Sequence, residues 1–185
     1  MQTLSTAECA RWCESRSNPI VASGQIALTY QDGASHSMAI SVPLNFLERV
    51  SLSYSLLSFP GEDTFQGGIV WFKEWNIGPS YIERAGWKVV EQMRRGYGQI
   101  ASLENAPGQR FRRDEFVDAQ AFLLQAMSFE WDVFFVPALA DHYIFVSHTQ
   151  VAYCVAHDAK LLGELCSYLN PWGPRNDLPF FLQSR

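Results

Sequence analysis

The stretch DHYIFVSHTQVAYCVAHD, residues 141–158, contains three of the four histidines in the chain. An imidazole can act as an acid or a base near neutral pH, or bind a metal ion through a ring nitrogen. The apolar residues between the histidines predict two strands, with Thr149-Gln150 as the two-residue loop of a hairpin. In that register His142 lies directly opposite His157.

A metal site at the open end of this hairpin is one hypothesis, with His142, His157 and Asp158 as ligands. Two imidazoles and a carboxylate can hold zinc or a similar ion, and such a site would permit metal-dependent hydrolysis. A structural alternative exists, because Asp158 is well placed to cap a following helix. The same register turns Cys154 away from the histidines, which argues against a cysteine nucleophile activated by one of them.

A basic segment is the second candidate for binding chemistry. Over residues 94–113 guanidinium groups are interspersed with aromatic rings, as they are in proteins that bind single-stranded nucleic acid. The net charge of −5 for the whole chain opposes binding to nucleic acid. The candidate contacts in this segment are Arg94, Arg95, Tyr97, Arg110 and Arg112.

Aromatic richness is the third candidate, since the chain has 6 tryptophans, 7 tyrosines and 13 phenylalanines. Tryptophan, tyrosine and arginine dominate the binding energy of protein interfaces. Core packing accounts for most of these rings, whereas Trp75 at a loop edge and Trp87 on a helix are candidates for contact with a partner protein.

The sequence contains none of the common catalytic motifs that would indicate an enzyme. A glycine-rich phosphate loop, a nucleophile elbow and a zinc-protease helix motif are all absent from the sequence. Cys9 and Cys13 form an apolar helix stripe with Trp12, and we expect them to pack as small hydrophobic residues. No cofactor is therefore expected.

The composition indicates one globular domain. At 185 residues, with 48% hydrophobic and 18% charged residues, the chain can bury a sizeable core. We predict a single α+β domain over residues 1–170, with a mixed or mostly antiparallel sheet of five or six strands packed by four or five helices. Residues 171–185 contain three prolines and predict a C-terminal tail that is docked or loosely ordered.

Residues 43–58 are ambiguous between a helix and a strand. The run VSLSYSL alternates as a half-buried strand would, whereas Pro43 favours the first turn of a helix. Apolar residues also recur at helical spacing through this range, so we predict a helix with one buried face. The residues of that face are Leu44, Leu47, Val50, Tyr54 and Leu57.

The remaining elements follow from periodicity and from capping and turn residues. The predicted helices are 6–16, 79–95, 115–129 with Asp114 as its N-cap, and one that begins after Asp158. The predicted strands are 25–31 and 36–42, joined by a turn at Asp32-Gly33, then 67–75 and 131–137. Residues 96–113 show no clear period and predict a long loop.

The N-terminal stretch MQTLSTAECARW has neither a basic leader nor an apolar segment of the kind found in signal peptides. No apolar run approaches the roughly 18 residues that a membrane span needs. The four cysteines are compatible with reduced thiols. A cytosolic protein without a membrane partner is therefore expected.

The stretches GGIVWFKEWNIGP, GQRF, WDVFFVP and SH, which lie between residues 67 and 150, together resemble a family of bacterial proteins without an assigned activity. The resemblance implies a bacterial cytosolic protein and transfers no catalytic residue. The absence of catalytic motifs, the net acidity and the aromatic residues lead us to predict a non-enzymatic protein-binding module. Immunity or inhibitor proteins, which dock onto a partner and neutralise it, are one such class.

Overall fold

The computed structural model describes residues 1–15, 36–59, 65–74, 81–139 and 141–174. Five α-helices lie in these ranges: α1 (Thr6–Glu14), α2 (Phe46–Leu57), α3 (Tyr81–Gly96), α4 (Phe116–Ser128) and α5 (Ala159–Tyr168). The strands are β1 (Gln2–Leu4), β2 (His36–Ser41), β3 (Gly68–Glu74), β4 (Gly108–Phe111), β5 (Asp132–Pro137), β6 (His142–Ser147) and β7 (Val151–Ala156).

The seven strands form one open sheet in the order β1-β4-β3-β5-β6-β7-β2. Every neighbouring pair is antiparallel. The prediction of a single α+β domain with a mostly antiparallel sheet is therefore confirmed, and the described part of the chain has more strands than the five or six expected. The two strands that the sequence did not indicate are β1 and β4, of three and four residues.

One face of the sheet, called the first face below, packs against α2, α3, α4 and α5. Strand side chains such as Met38, Val133 and Ile144 form its core together with Leu52 of α2 and Phe122 of α4. Helices on one side of an antiparallel sheet bury their apolar stripes against the strands, which is the usual solution for an α+β domain.

The second face of the sheet is rich in aromatic rings, among them Trp71 and Phe134, and α1 packs on it. Cys9 and Cys13 of α1 are both fully buried there, which confirms that they pack as small hydrophobic residues. The approach is close at Gly108 of β4, because a Cβ atom at this position would lie 2.1 Å from the Sγ atom of Cys9. Any larger residue at position 108 would push α1 away from the sheet.

The helix predicted for residues 43–58 is confirmed as α2, which begins three residues after Pro43. The side chain of Asn45 accepts hydrogen bonds from the backbone N–H groups of Leu47 and Glu48 and so caps α2. The alternation of VSLSYSL is accommodated because Ser51 and Ser55 hydrogen-bond to backbone carbonyls four residues earlier. The predicted buried face is partly wrong, since the buried residues of α2 are Leu52, Ser53, Leu56 and Leu57.

Two local predictions between α3 and α4 were also wrong. Strand β4 lies inside the range 96–113 that was predicted to be a loop. Asp114 is not an N-cap, because a 3-10 helix over Arg113–Glu115 precedes α4. The side chain of Glu115 instead accepts the backbone N–H of Arg112 at 2.8 Å and closes the turn.

The last described residues dock onto the helices. A 3-10 helix over Asn170–Trp172 follows α5, and Nε1 of Trp172 donates to the hydroxyl of Ser55 at 3.2 Å. The predicted strand 25–31, its turn at Asp32-Gly33, Trp75 and the tail beyond residue 174 lie outside the described residues. Within the described ranges, no helix combines the length and apolarity that crossing a bilayer requires.

Candidate functional site

The histidine-rich hairpin has a different register from the predicted one. Its loop has three residues, 148–150, and Gln150 adopts a positive φ of 61°. In a three-residue loop of this kind the last residue adopts the left-handed region. The Thr-Gln pair tolerates this arrangement better than the backbone conformation that a two-residue loop requires. His142 therefore lies opposite Ala156 and not opposite His157.

The three predicted metal ligands do not converge. His142 is buried, whereas His157 and Asp158 are exposed. The carboxylate of Asp158 accepts the backbone N–H of Leu161 at 2.8 Å and caps α5, as the structural alternative predicted. Within the described ranges, no group of three or more histidine, cysteine, aspartate or glutamate side chains is arranged to hold a metal ion.

His142 lies in an apolar environment on the first face. The ring of Phe59 packs edge-on against the imidazole, with 5.5 Å between ring centroids. Burial lowers the pKa of His142 to about 4, so the imidazole is neutral at neutral pH. Its buried Nδ1 atom has no hydrogen-bond partner among the residues that the structure describes. A side chain that is 2% exposed cannot exchange protons with a substrate at the surface.

His148, the third histidine of the hairpin, is bound to Asp132 at the start of β5. Its Nδ1 atom lies 2.9 Å from Oδ1 of that carboxylate, which also accepts the backbone N–H of His148 at 2.7 Å. An imidazole–carboxylate pair is found in catalytic sites and also in anchored loops. Here the hairpin loop is held to the neighbouring strand through this pair.

Arg94 in the basic segment is fully buried. Its Nε atom donates to the side chain of Gln109 at 3.0 Å, and its two terminal nitrogens donate to the backbone carbonyls of Ala101 and Ala106. Burial lowers the pKa of the guanidinium to about 10, which leaves it charged at neutral pH. Arg94 therefore ties the segment after α3 to β4 and is inaccessible to a nucleic acid.

The other four predicted contacts of the segment are exposed: Arg95, Tyr97, Arg110 and Arg112. The guanidinium of Arg110 lies 4.7 Å from the ring centroid of Trp12. Arg112 forms ion pairs at 3.3 Å with Asp114 and with Glu115. Partial desolvation of the Tyr97 hydroxyl and a hydrogen bond to Asp118 raise the pKa of Tyr97 to about 12. Because these side chains form contacts within the chain, fewer of their charged groups are available to bind the phosphate backbone of a nucleic acid.

Of the two tryptophans proposed as partner contacts, Trp87 lies within the described residues. It is partly buried and packs against the core of the first face. Its Nε1 atom is buried and has no hydrogen-bond partner in the described part of the chain. Trp87 therefore contributes much of its surface to packing inside the domain.

Three large apolar side chains that lie close together in the sequence at the start of α2 are exposed, which was not predicted from the sequence, and are called the apolar cluster below. Leu44, Phe46 and Leu47 are 85%, 60% and 72% exposed. Leu44 and Leu47 had been assigned to the buried face of the helix. The signal that could have corrected this for Leu44 is Asn45, because an N-cap at that position leaves Leu44 outside the helix. The buried stripe of α2 includes Leu52 and Leu56.

The apolar cluster is held on an ordered backbone by Arg49. Its guanidinium donates to the backbone carbonyl of Pro43 at 2.6 Å, to the carbonyl of Met127 at 3.0 Å and to the side chain of Gln150 at 3.1 Å. The backbone N–H of Val42 also donates to the carbonyl of Gln150 at 2.8 Å. The start of α2 is thereby fixed to the end of α4 and to the hairpin loop.

An open depression of about 600 Å³ lies on the outer side of α5. Phe59, Gly163, Ser167 and Tyr168 line it, together with Lys160 and Glu164. The ammonium and the carboxylate of that last pair are 3.8 Å apart and both exposed. The depression offers a mixed polar surface in which the charged groups neutralise each other.

Comparison with known proteins adds no relative. No protein-family model matches the chain, and neither a curated protein nor a solved structure is significantly similar to it. The resemblance of residues 67–150 to a bacterial family therefore stays a prediction, and a functional proposal has to rest on the geometry of the side chains described above.

Proposed function

We propose that the protein is a non-enzymatic binding module of the bacterial cytosol that docks onto a partner protein, in the manner of immunity or inhibitor proteins. The observation that carries the proposal is the apolar cluster, Leu44, Phe46 and Leu47, which is more than half exposed at each residue. Adjacent exposed apolar side chains on a folded surface are typical of interaction sites.

Order in the free protein supports this role for the cluster. The Asn45 cap and the three hydrogen bonds of Arg49 fix the backbone that presents the side chains. Binding then costs little conformational entropy, because the surface is already in place. An apolar helix end of this size fits a hydrophobic cleft of a partner, as in the binding of an amphipathic helix to a groove.

Charge suggests the character of the partner. The chain carries a net charge of −5, and Glu48 is exposed beside the apolar cluster. Complementary potentials steer association, so the expected partner has an apolar cleft with a basic rim.

Photo-cross-linking in cells that produce the protein tests the proposal. A benzoylphenylalanine residue replaces Phe46 in one variant and Val117, which is 73% exposed on α4, in a matched control. We expect a partner protein to be cross-linked from position 46 and not from position 117. With the purified partner, Phe46→Ser should raise the Kd by roughly thirtyfold, as loss of an interface hot spot does, whereas Val117→Ser should leave it unchanged.

Two results would contradict the proposal. Cross-links from position 46 that contain only second copies of this chain would make the apolar cluster a self-association surface. An equal loss of affinity in the Phe46→Ser and Val117→Ser variants would show that binding does not depend on the cluster.

A further inference from the structure

Three sulfur-containing side chains from three different elements lie close together on the first face beneath α5. Met38 of β2 and Cys154 of β7 are directly opposite each other in the register of these neighbouring strands. Both belong to the core of the first face and are 1% and 0% exposed. Side chains that are opposite on the same face of a sheet have Cβ atoms about 5 Å apart.

Cys166 of α5 supplies the third sulfur. Its Sγ atom lies 3.2 Å from Sδ of Met38. Burial raises the pKa of the Cys154 thiol to about 12, and the neighbouring Cys166 thiol adds to that rise. Cys166 is partly exposed, whereas the other two residues are buried.

We propose that Met38, Cys154 and Cys166 form a binding site for a soft monovalent metal ion, Cu(I). Thiolate and thioether sulfurs are the ligands that Cu(I) prefers. Zinc fits this group less well, because its structural sites use four ligands and draw on thiolates, imidazoles and carboxylates. The ion reaches the site past Cys166 and contacts Met38 and Cys154 at its base.

Binding of Cu(I) at this site removes protons from the thiols and does not change the oxidation state of copper or of sulfur. Each thiol that binds Cu(I) as a thiolate loses its S–H proton to the solvent, while the thioether of Met38 binds as a neutral ligand. Copper enters and remains as Cu(I), and no disulfide forms.

The same three residues also have an ordinary packing role, because cysteine and methionine fill apolar cores. Two features distinguish this group from the other cysteine pair of the protein. Cys9 and Cys13 are a buried thiol pair on the second face, and neither is accompanied by a methionine in its core cluster. The group beneath α5 combines two thiols with a thioether, and one of its residues, Cys166, is partly exposed.

The test uses the full-length reduced protein under anaerobic conditions and Cu(I) supplied as its bicinchoninate complex. We expect one equivalent of copper to move from the chelator to the protein. Cys166→Ser should raise the Kd for Cu(I) by roughly a hundredfold, and Met38→Leu by roughly tenfold, because each removes a soft ligand. Leucine conserves the volume of methionine, so the Met38→Leu variant keeps its fold. Near-ultraviolet circular dichroism checks the folding of every variant.

Cys13→Ala serves as the matched control, since it removes a buried thiol from the other face of the sheet and should leave copper binding unchanged. The proposal is overturned if the protein takes no copper from the chelator. It is also overturned if Cys13→Ala abolishes binding, or if Cys166→Ser and Met38→Leu bind copper as tightly as the unmodified chain.

Discussion

The imidazole of His148 lies against the buried carboxylate of Asp132, with 2.9 Å between Nδ1 and Oδ1. The same carboxylate oxygen accepts the backbone N–H of His148 at 2.7 Å. One carboxylate oxygen of Asp132 thus contacts both the ring nitrogen Nδ1 and the backbone N–H of His148. Asp132 is 4% exposed, so the loop of the β6–β7 hairpin is anchored to β5 by a desolvated acceptor.

This arrangement predicts unequal costs for removing the two partners. Asp132→Ala leaves a backbone N–H and an imidazole without their acceptor and should lower the free energy of unfolding by about 2–3 kcal/mol. His148→Ala keeps the backbone hydrogen bond and should cost about 1 kcal/mol. Urea unfolding of both variants measures the difference. Equal costs would show that the backbone hydrogen bond contributes little.

Buried His142 predicts a dependence of stability on acid. Its pKa is about 4 in the folded protein, and burial is the cause. In the unfolded chain its pKa is about 6.5, so between these values the unfolded chain binds a proton that the folded protein does not. The free energy of unfolding should therefore fall as the pH drops from about 6.5 to 4, by up to about 3 kcal/mol from this group. Above pH 6.5 this contribution is constant.

His142→Leu should remove that loss, because leucine does not titrate and the Nδ1 atom of His142 forms no hydrogen bond with a described residue that the substitution would lose. The measurement is urea unfolding at several pH values between 4 and 7.5. His157→Gln, at an exposed histidine, is the control and should retain the acid-dependent loss. A His142→Leu protein that loses stability with acid as steeply as the unmodified chain would show that other groups dominate.

The long elements were predictable because their signals are repeated over many residues. The capping residue, the apolar period and the turn signals placed α1, α2 and β5 close to their observed bounds. Strands β1 and β4 have three and four residues, too few for alternation to be visible. They form because β1 pairs with β4 and β4 also pairs with β3. The local sequence contains no signal for these long-range pairings.

The site was harder to predict because it depends on single-residue offsets. The hairpin loop has one residue more than predicted, with Gln150 in the left-handed region, so the cross-strand partner of His142 is Ala156 and not His157. The same shift put Cys154 on the face that His142 occupies, contrary to the expected orientation, and next to Met38. Burial of Arg94 was equally invisible, since the carbonyls that it binds belong to a segment without periodicity.

Arg94 predicts a large loss of stability on substitution. Arg94→Met leaves two backbone carbonyls and the side chain of Gln109 without their donor, and hydrogen bonds to charged groups contribute about 1.5–3 kcal/mol each. We expect the free energy of unfolding to fall by at least about 3 kcal/mol, and the amides of residues 97–107 to exchange faster in hydrogen-exchange measurements. Arg95→Met, at the exposed neighbour, should change stability by less than about 0.5 kcal/mol. Slow exchange of 97–107 in the Arg94→Met protein would contradict this role.

Two helix glycines should respond in opposite directions to alanine. In α5, Gly163 is exposed, and a Cβ atom there would meet nothing within 4 Å. Gly163→Ala should therefore stabilise the fold by about 0.5–1 kcal/mol, the propensity difference between the two residues. In α3, a Cβ atom at Gly86 would lie 2.5 Å from the ring of Phe129, so Gly86→Ala should destabilise by about 1–3 kcal/mol through overpacking. Thermal and urea unfolding of the pair measure both signs, and a stabilised Gly86→Ala protein would mean that the Phe129 ring moves aside freely.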